Sequence, residues 1–327
     1  MCFVFPVFKF ASFKLLRRIS RLWLKPLICK KWKADKELLP LKHEHFEQYF
    51  WIHRASWLKL GKFPNLVNCK DFNDKIQWLK LFDQDPVIVG CVDKIAVRHE
   101  VLKRVGEKYL VSLYQTHKSF RDIDFDPLPK SFVVKANHDS GSYSLVGDKS
   151  KFDAVKSKAK IEAALIRPYG MKTGQWAYAL VEPKVLVEEF IDPHHGESPP
   201  PDYKFFCVDG NVRFVQYIYD RSSGTKEQII DVSGQTLDVH FDSNFQSCSG
   251  FNRPAEWEEM ISVAERMGEG FKFVRVDLLY SSSGRFYVGE MTFWPLAGFY
   301  RSAGQEQLGE FLDFDRTTYR PPMPIKR

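Results

Sequence analysis

Residues 274–293 read V-R-V-D-L-L-Y-S-S-S-G-R-F-Y-V-G-E-M-T-F, two β-rich runs on either side of Ser283-Gly284. A Ser-Gly pair in that setting signals a two-residue hairpin loop, and the register follows by counting back from it. Ser282 then faces Arg285, and five steps further Asp277 lies opposite Glu290. Side chains alternate along a strand, so Val274, Val276, Leu278 and Tyr280 share a core face with Tyr287, Met291 and Phe293. Arg275, Asp277, Glu290 and Thr292 occupy the other face. Two carboxylates opposed across strands repel each other unless positive charge lies between them. Arg275 can supply it on a solvated hairpin face. A hard divalent cation can supply it too, since Mg²⁺ typically takes one or two carboxylates together with phosphate oxygens. The second alternative requires phosphate-binding residues elsewhere in the chain.

The chain has 327 residues, 44% hydrophobic and 15% aromatic, enough for a real core in one large domain or two to three small ones. Its net charge of +7 is an unequal sum. Residues 1–36 hold ten Lys or Arg and one acid, Asp35, whereas the remainder holds 38 basic and 40 acidic residues. A nearly neutral body gives no footing for nucleic acid. The six cysteines (2, 29, 69, 91, 207, 248) show no C-x-x-C spacing, which points to free thiols in a reducing cytosol and to no zinc site. No run approaches the length of a membrane span, and the N-terminus lacks the marks of a signal peptide, so a cytoplasmic location is expected.

In residues 1–36, Leu15, Leu16, Ile19, Leu22 and Trp23 fall at helical spacing with Lys14, Arg17, Arg18 and Arg21 between them. Such a basic amphipathic helix suits an anionic membrane surface, here the inner face of the cell membrane, or else docks on the body of the protein or on a partner. Residues 37–86 are helical, with breaks at Gly61 and Pro64 and a second amphipathic helix over 73–82; His43, His45 and His53 are expected to be structural. Residues 87–105 follow one α period that puts Lys94 and Arg98 on a single face. A short buried strand over 131–136 carries Lys135 and runs into N-H-D-S-G-S-Y-S-L-V (137–146). Small polar loops with glycine can wrap phosphates with backbone N–H groups. A helix over 151–166, a strand over 184–191, a surface loop over 192–202 with solvent-facing His194-His195, a hairpin turned at Asp209-Gly210 and a helix over 256–267 complete the order; the tail from 319 is expected to fray. Helices first, then mixed strands and helices without a repeat, argue for an α+β fold.

Four pieces stand in a telling order: D-K-x-x-x-R at 93–98, F-V-V-K-A-N-H-D-S-G-S at 132–142, V-L-V-E-E-F-I at 185–191, and V-R-V-D-L with G-E-M-T-F-W-P inside 274–295. The chain resembles the ATP-grasp superfamily over roughly residues 65–315. The stretches F-N-D-K-I-Q-W-L-K-L-F-D (72–83), P-D-Y-K-F-F-C (201–207) and F-V-R-V-D-L (273–278) look like the TupA-like ATP-grasp family of polysaccharide and teichuronopeptide biosynthesis. The resemblance implies an ATP-grasp fold, two α+β lobes with the nucleotide between them. A helical region over 37–86 would precede a smaller lobe over 87–191 and a larger lobe over 192–318, with a tail over 319–327.

By matching position, Lys94 and Lys135 would hold ATP phosphates, and Asn137, His138, Ser140, Gly141 and Ser142 would form the lid over them. Glu188 and the backbone of Glu189, Phe190 and Ile191 would read adenine, and Asp202 the ribose. Asp277 and Glu290, with Thr292, would hold Mg²⁺, expected as a pair of ions. Arg275 would face the transferred phosphate, and Lys204, Arg213 and Arg221 would contact phosphate or an acidic substrate. The implied reaction is ATP-dependent joining of a carboxylate-bearing saccharide or peptide to an amine donor through an acylphosphate, in making a capsule, O-antigen or teichuronic-type polymer. Two departures stand out: Asp139 and Ser142 replace glycines usual in the lid, and L-A-G follows Pro295 where x-S-G is usual. Asp139 motivates an inactive ATP-binding protein as an alternative. A glycosyltransferase is another, since Asp122, Asp124 and Asp126, and likewise Asp83 and Asp85, form D-x-D strings.

Overall fold

The computed structural model describes residues 13–192, 201–219, 224–241, 245–247 and 251–320. The first twelve residues, the His194-His195 loop, Arg221 and the last seven residues lie outside these.

Helices dominate up to residue 104: α1 (Phe13–Lys36), α2 (Phe46–Leu60), α3 (Phe72–Phe82), α4 (Val87–Val92) and α5 (Val97–Arg104). The Asp71 carboxylate starts α3 by accepting from the Asp74 N–H at 2.7 Å, and Gly61, at φ 71°, stops α2. The single helix read over 87–105 is two. Asp93 takes extended backbone, and its carboxylate captures the Ile95 N–H at 2.8 Å, so an Asp side chain outcompetes the helical ladder. Lys94 therefore sits in the break between α4 and α5 rather than on a face shared with Arg98. From Leu24 onward α1 docks on the protein's own body. Leu24 and Ile28 are buried, Trp32 packs edge-on against Phe46 and Tyr49, and the Tyr49 hydroxyl donates to Asp35 at 2.8 Å. Trp23 and Leu27 stay exposed. No helix among the described residues is long and apolar enough to cross a membrane.

Two antiparallel sheets follow. The smaller one contains β1 (Leu113–His117), β2 (Phe132–Ala136), β3 (Tyr143–Val146) and β4 (Val185–Glu189) in the order β1-β4-β2-β3. Helix α6 (Ala154–Leu165) covers one face, where Ile161 meets Phe132, Val134, Val185 and Val187. Alternation sends Val133 and Lys135 of β2 to the other face. The larger sheet contains β5 (Asp202–Val208), β6 (Asn211–Tyr219), β7 (Lys226–Ile230), β8 (Thr236–Leu237), β9 (Gln246–Ser247), β10 (Phe273–Tyr280) and β11 (Phe286–Thr292). Its order is β11-β10-β5-β6-β7-β8, with β9 alongside β7. Helix α7 (Trp257–Gly268) closes one face, with Trp257 against Phe205. Phe72 of α3 packs edge-on against Phe206, Phe241 and Phe273 on the other. A short α8 (Gln305–Glu310) lies beside α3.

The β10–β11 hairpin pairs Asp277 with Glu290 as the count requires, but through two departures that cancel. The loop has three residues, Ser282, Ser283 and Gly284, closed by Ser281 N–H to the Arg285 carbonyl at 2.8 Å with Gly284 at φ 76°. That offset is undone between Leu278, which pairs with Val288, and Asp277, where Gly289 forms a bulge. Between the two, the faces are exchanged. Phe286 and Val288 take the core side, and Tyr287 leaves it for a small cluster with Val111, Ile191 and Leu279. A glycine inside a strand pattern is the mark of such a bulge.

Candidate active site between the two sheets

The open face of the small sheet meets the charged face of the large one across a cleft of about 310 Å³. One end is apolar, made of Val133, Leu145, Phe190, Ile191 and Leu279. The other end gathers Lys94, Lys135, the loop residues Asp139, Ser140, Gly141 and Ser142, and Lys204, Arg275, Asp277 and Glu290. The last group is ordered by strand register. Glu290, Asp277, Lys204 and Gln216 are direct neighbours on β11, β10, β5 and β6, forming one polar rung across four strands.

Charge in this rung is closely matched. Arg275 donates from Nε and Nη2 to the two Asp277 oxygens at 2.6 and 2.7 Å, and Lys204 Nζ adds a third contact at 2.7 Å. Lys204 also lies 3.2 Å from Asp202. Glu290 is held more loosely, with Thr292 at 3.3 Å, Arg275 at 3.5 Å and Lys94 at 3.7 Å. Burial works against its charge, but Lys94, Arg275 and Lys204 outweigh that and hold the carboxyl at about 2. For Asp277, burial pushes the carboxyl up against the pull of Arg275 and Lys204.

Asn137 fastens the phosphate-side loop without lining the cleft. Its carbonyl accepts from Lys94 N–H at 3.1 Å, its Nδ2 donates to Asp93 at 2.9 Å and to the Glu182 carbonyl at 3.0 Å, and its Oδ1 accepts from Lys184 N–H at 2.7 Å. His138 is buried as well, and burial lowers its pKa and favours the neutral ring. Lys94 Nζ reaches the Asp139 carbonyl at 2.5 Å, and Lys135 pairs with Glu188. The extra acid of the loop is accounted for: the Asp139 carboxylate accepts from Ser142 and from Arg167, each at 2.5 Å. Arg167 was not singled out in the sequence, because it lies in a loop with no pattern of its own. The Glu189 N–H is already donated to the Ser112 carbonyl at 2.9 Å. Arg213 is exposed on β6 and lines neither this cleft nor its neighbour; Arg221 is outside the described residues.

Among the described residues no three His, Cys, Asp or Glu side chains gather as a metal site. Hard oxygen donors are nonetheless present in the form Mg²⁺ accepts when phosphates complete its shell. Glu290, with contacts longer than good hydrogen bonds, is free to turn to a cation. Asp277 can join it only by giving up a contact, most simply that to Lys204.

A second cavity of about 500 Å³ shares Asp139, Ser140, Lys204, Arg275 and Glu290 with the first, so the two meet at the charged rung. Thr292, Trp294, Leu296, Ala297 and Tyr300 line one wall; Arg167, Tyr169, Lys172 and Thr173 line another. Both walls are held by α3. Asn73, Gln77 and Lys80, spaced four and three apart, form a buried polar stripe on that helix. Asn73 exchanges two hydrogen bonds with the Tyr300 backbone, at 2.9 and 3.0 Å. Gln77 donates to the Ala297 and Gly298 carbonyls at 3.1 and 2.7 Å. Lys80 donates to Gln77 Oε1 at 2.7 Å, the Thr173 carbonyl at 2.8 Å and the Ala297 carbonyl at 2.7 Å. These bonds sustain three successive left-handed residues, Leu296 (φ 46°), Ala297 (φ 53°) and Gly298 (φ 64°). Such backbone costs of order 1–3 kcal/mol per non-glycine residue and persists only where the surroundings over-determine it.

The TupA-like ATPgrasp family matches residues 74–313, well over half of the chain, and the protein belongs to it. No curated protein matches. Among solved structures, the chain is similar to D-alanine–D-alanine ligase from Bacillus anthracis complexed with ATP, at 19% identity over 62% of this chain and 55% of that one (TM-score 0.37). It is similar to an L-amino acid ligase from Bacillus licheniformis at 14% identity over 78% and 56% (TM-score 0.42). A third, N5-carboxyaminoimidazole synthetase from Staphylococcus aureus complexed with ADP, shows 15% identity over 63% and 46% (TM-score 0.39). The chain thus spans about half the length of each.

Proposed function

We propose that this protein is an ATP-dependent carboxylate–amine ligase acting in the synthesis of a cell-surface polysaccharide. The observation that carries the reading is the meeting of the two cavities at one charged rung, where a phosphoryl group and a carboxylate can be brought together. The apolar end of the cleft suits a purine, with Glu188 and Asp202 beside it. Lys94, Lys135 and the N–H groups of residues 140–142 suit a triphosphate. Mg²⁺ held by Glu290, and by Asp277 once Lys204 is released, would neutralise charge building up on the phosphates.

The protein's own groups do the rest. Arg275 and Lys204 stabilise negative charge where the substrate carboxylate oxygen attacks the γ-phosphorus and ADP departs. Attack by an amine on the resulting acylphosphate then forms the amide and releases phosphate. Because an acylphosphate hydrolyses readily, loop 137–144 is the segment placed to exclude water. Neither D-x-D string lines either of these two cavities: Asp83 and Asp85 pair with Arg320, and Asp122, Asp124 and Asp126 belong to neither lining. Pairing of Asp139 with Arg167 offsets the extra acid of the loop and so supports the active reading over the inactive one.

Incubation with ATP, Mg²⁺, a panel of uronic acids and peptides, and hydroxylamine tests the reading. A hydroxamate and stoichiometric ADP are expected; UDP release from a sugar nucleotide without ADP would replace ligation by glycosyl transfer. A membrane surface is the proposed working place, because Trp23 and Leu27 remain exposed beside the basic segment. The informative truncation removes residues 1–22, since cutting further would take Leu24 and Ile28 out of the core. Binding to anionic liposomes should vanish and turnover should persist; undiminished binding would refute the surface helix.

A further inference from the structure

Three lysines lie at the outer part of the second cavity with no carboxylate in ion-pair contact among the described residues: Lys59 and Lys172 on its lining, and Lys80 directly beneath it. Lys59 and Lys80 approach the same ring. Their ammonium groups are 5.1 and 4.9 Å from the Phe299 centroid. Lys80 is fully buried, and its three acceptors match the three N–H bonds of an ammonium group. Burial pushes its pKa down, and the neighbouring Lys59 pushes it further. Lys59 and Lys172 are themselves exposed, so two cations without an ion-pair partner among the described residues stand at the mouth of the cavity, where an incoming anion can pair with them. The acids at the inner end cannot do so, because Asp139 is committed to Arg167 and Glu290 faces Lys94 and Arg275.

We propose that the outer half of the second cavity is a polyanion subsite, in which Lys59 and Lys172 bind acid groups of the substrate other than the carboxylate activated at the rung. The identity of that inner carboxylate rests on the ligase reading above; the subsite itself does not. The substrate class is a chain with repeated acid groups, and the partly exposed rings of Tyr169 and Tyr178 along the cavity offer faces for sugar rings. Lys59 belongs to α2, ahead of the family match, so the helical region before the ATP-grasp domain contributes to substrate choice. Lys80 touches no ligand in this arrangement. It positions the two turns that form the walls.

The test is calorimetric titration of the full-length protein, loaded with Mg²⁺ and a non-hydrolysable ATP analogue. The probes are α-1,4-trigalacturonate, galacturonate and maltotriose. Trigalacturonate should bind about tenfold or more tighter than galacturonate, with no saturable binding of maltotriose. In the Lys59→Met/Lys172→Met double variant that preference should fall to about threefold or less, while the affinity for the ATP analogue stays within about twofold. Lack of trigalacturonate binding, equal binding of maltotriose, or a preference that survives in the double variant would each overturn the subsite. The titration needs no turnover. Lysine-dependent binding without hydroxamate formation would therefore sink the ligase reading alone, and hydroxamate formation without the preference would sink the subsite alone.

Discussion

The two cavities are built on different plans. The first is lined mostly from strands, where one side chain in two must face the cleft, so the charged rung at its polar end is a property of register. The second has the same strands as its floor but takes its walls from a turn, a loop and the end of a helix that are far apart in the chain, shaped by backbone carbonyls held by Asn73, Gln77 and Lys80. A strand-built site tolerates little change in position but needs no outside support. A loop-built site can vary in composition only if something rigid beneath it fixes the backbone.

The largest effect should come from the strand-built side. Glu290→Gln is expected to lower ATP turnover by about 10³-fold while the fold persists, since it removes a charge and no packing. Full activity in that variant would dissolve the distinction between the two plans by removing the metal assignment. Lys80→Met should act on the other side. It leaves the Thr173 carbonyl without its partner and weakens the hold on Ala297, costing about 2–4 kcal/mol in denaturant unfolding. Amide exchange should quicken at residues 170–174 and 296–300 and stay unchanged in β2 and β4; a uniform rise would show that α3 merely supports the whole fold.

A smaller change is expected where the cavities touch. Arg167→Ala leaves the buried Asp139 carboxylate without its cation and should cost about 1–2 kcal/mol, with faster exchange confined to residues 138–142. Equal stability would mean that the pair contributes nothing to holding the loop. At neutral pH the least visible effect is a pH slope on the helical side, which shows only in acid. His53 is stacked on Tyr49, and burial first of all holds its pKa at about 3, well below the usual 6.5. The unfolded chain then binds a proton that the folded one refuses, so stability should decline as pH falls from about 6.5 to about 3. His53→Phe should flatten that slope in urea titrations across this range. Glu290 contributes a separate decline lower down, from about 4.5 to about 2, which Glu290→Gln alone should remove.

Much of the first cavity was legible because strand periodicity is short and rigid. Lys135, Asp277 and Glu290 could be placed from alternation and a turn count, even though the loop was one residue longer and Gly289 absorbed the difference. Tyr287, lying between those two offsets, was placed on the wrong face for the same reason. Lys94 was recognisable by its neighbours, yet its position in a helix break depended on competition between the Asp93 side chain and the helical ladder. Asn137 and His138 read as loop residues and are buried instead, because the loop's fastening points come from Asp93, Glu182 and Lys184 elsewhere.

By itself the amino-acid order determined the α+β class, the family, the charged hairpin and the basic leading segment, since each follows from spacing within a dozen or so neighbouring residues. Only the tertiary structure decided that α1 turns back onto the body, that Arg167 neutralises Asp139, and that a buried lysine of α3 holds two distant turns as the walls of a second cavity. Those outcomes depend on which backbone carbonyls and charges are left unsatisfied when separate segments pack together, and no local pattern records that.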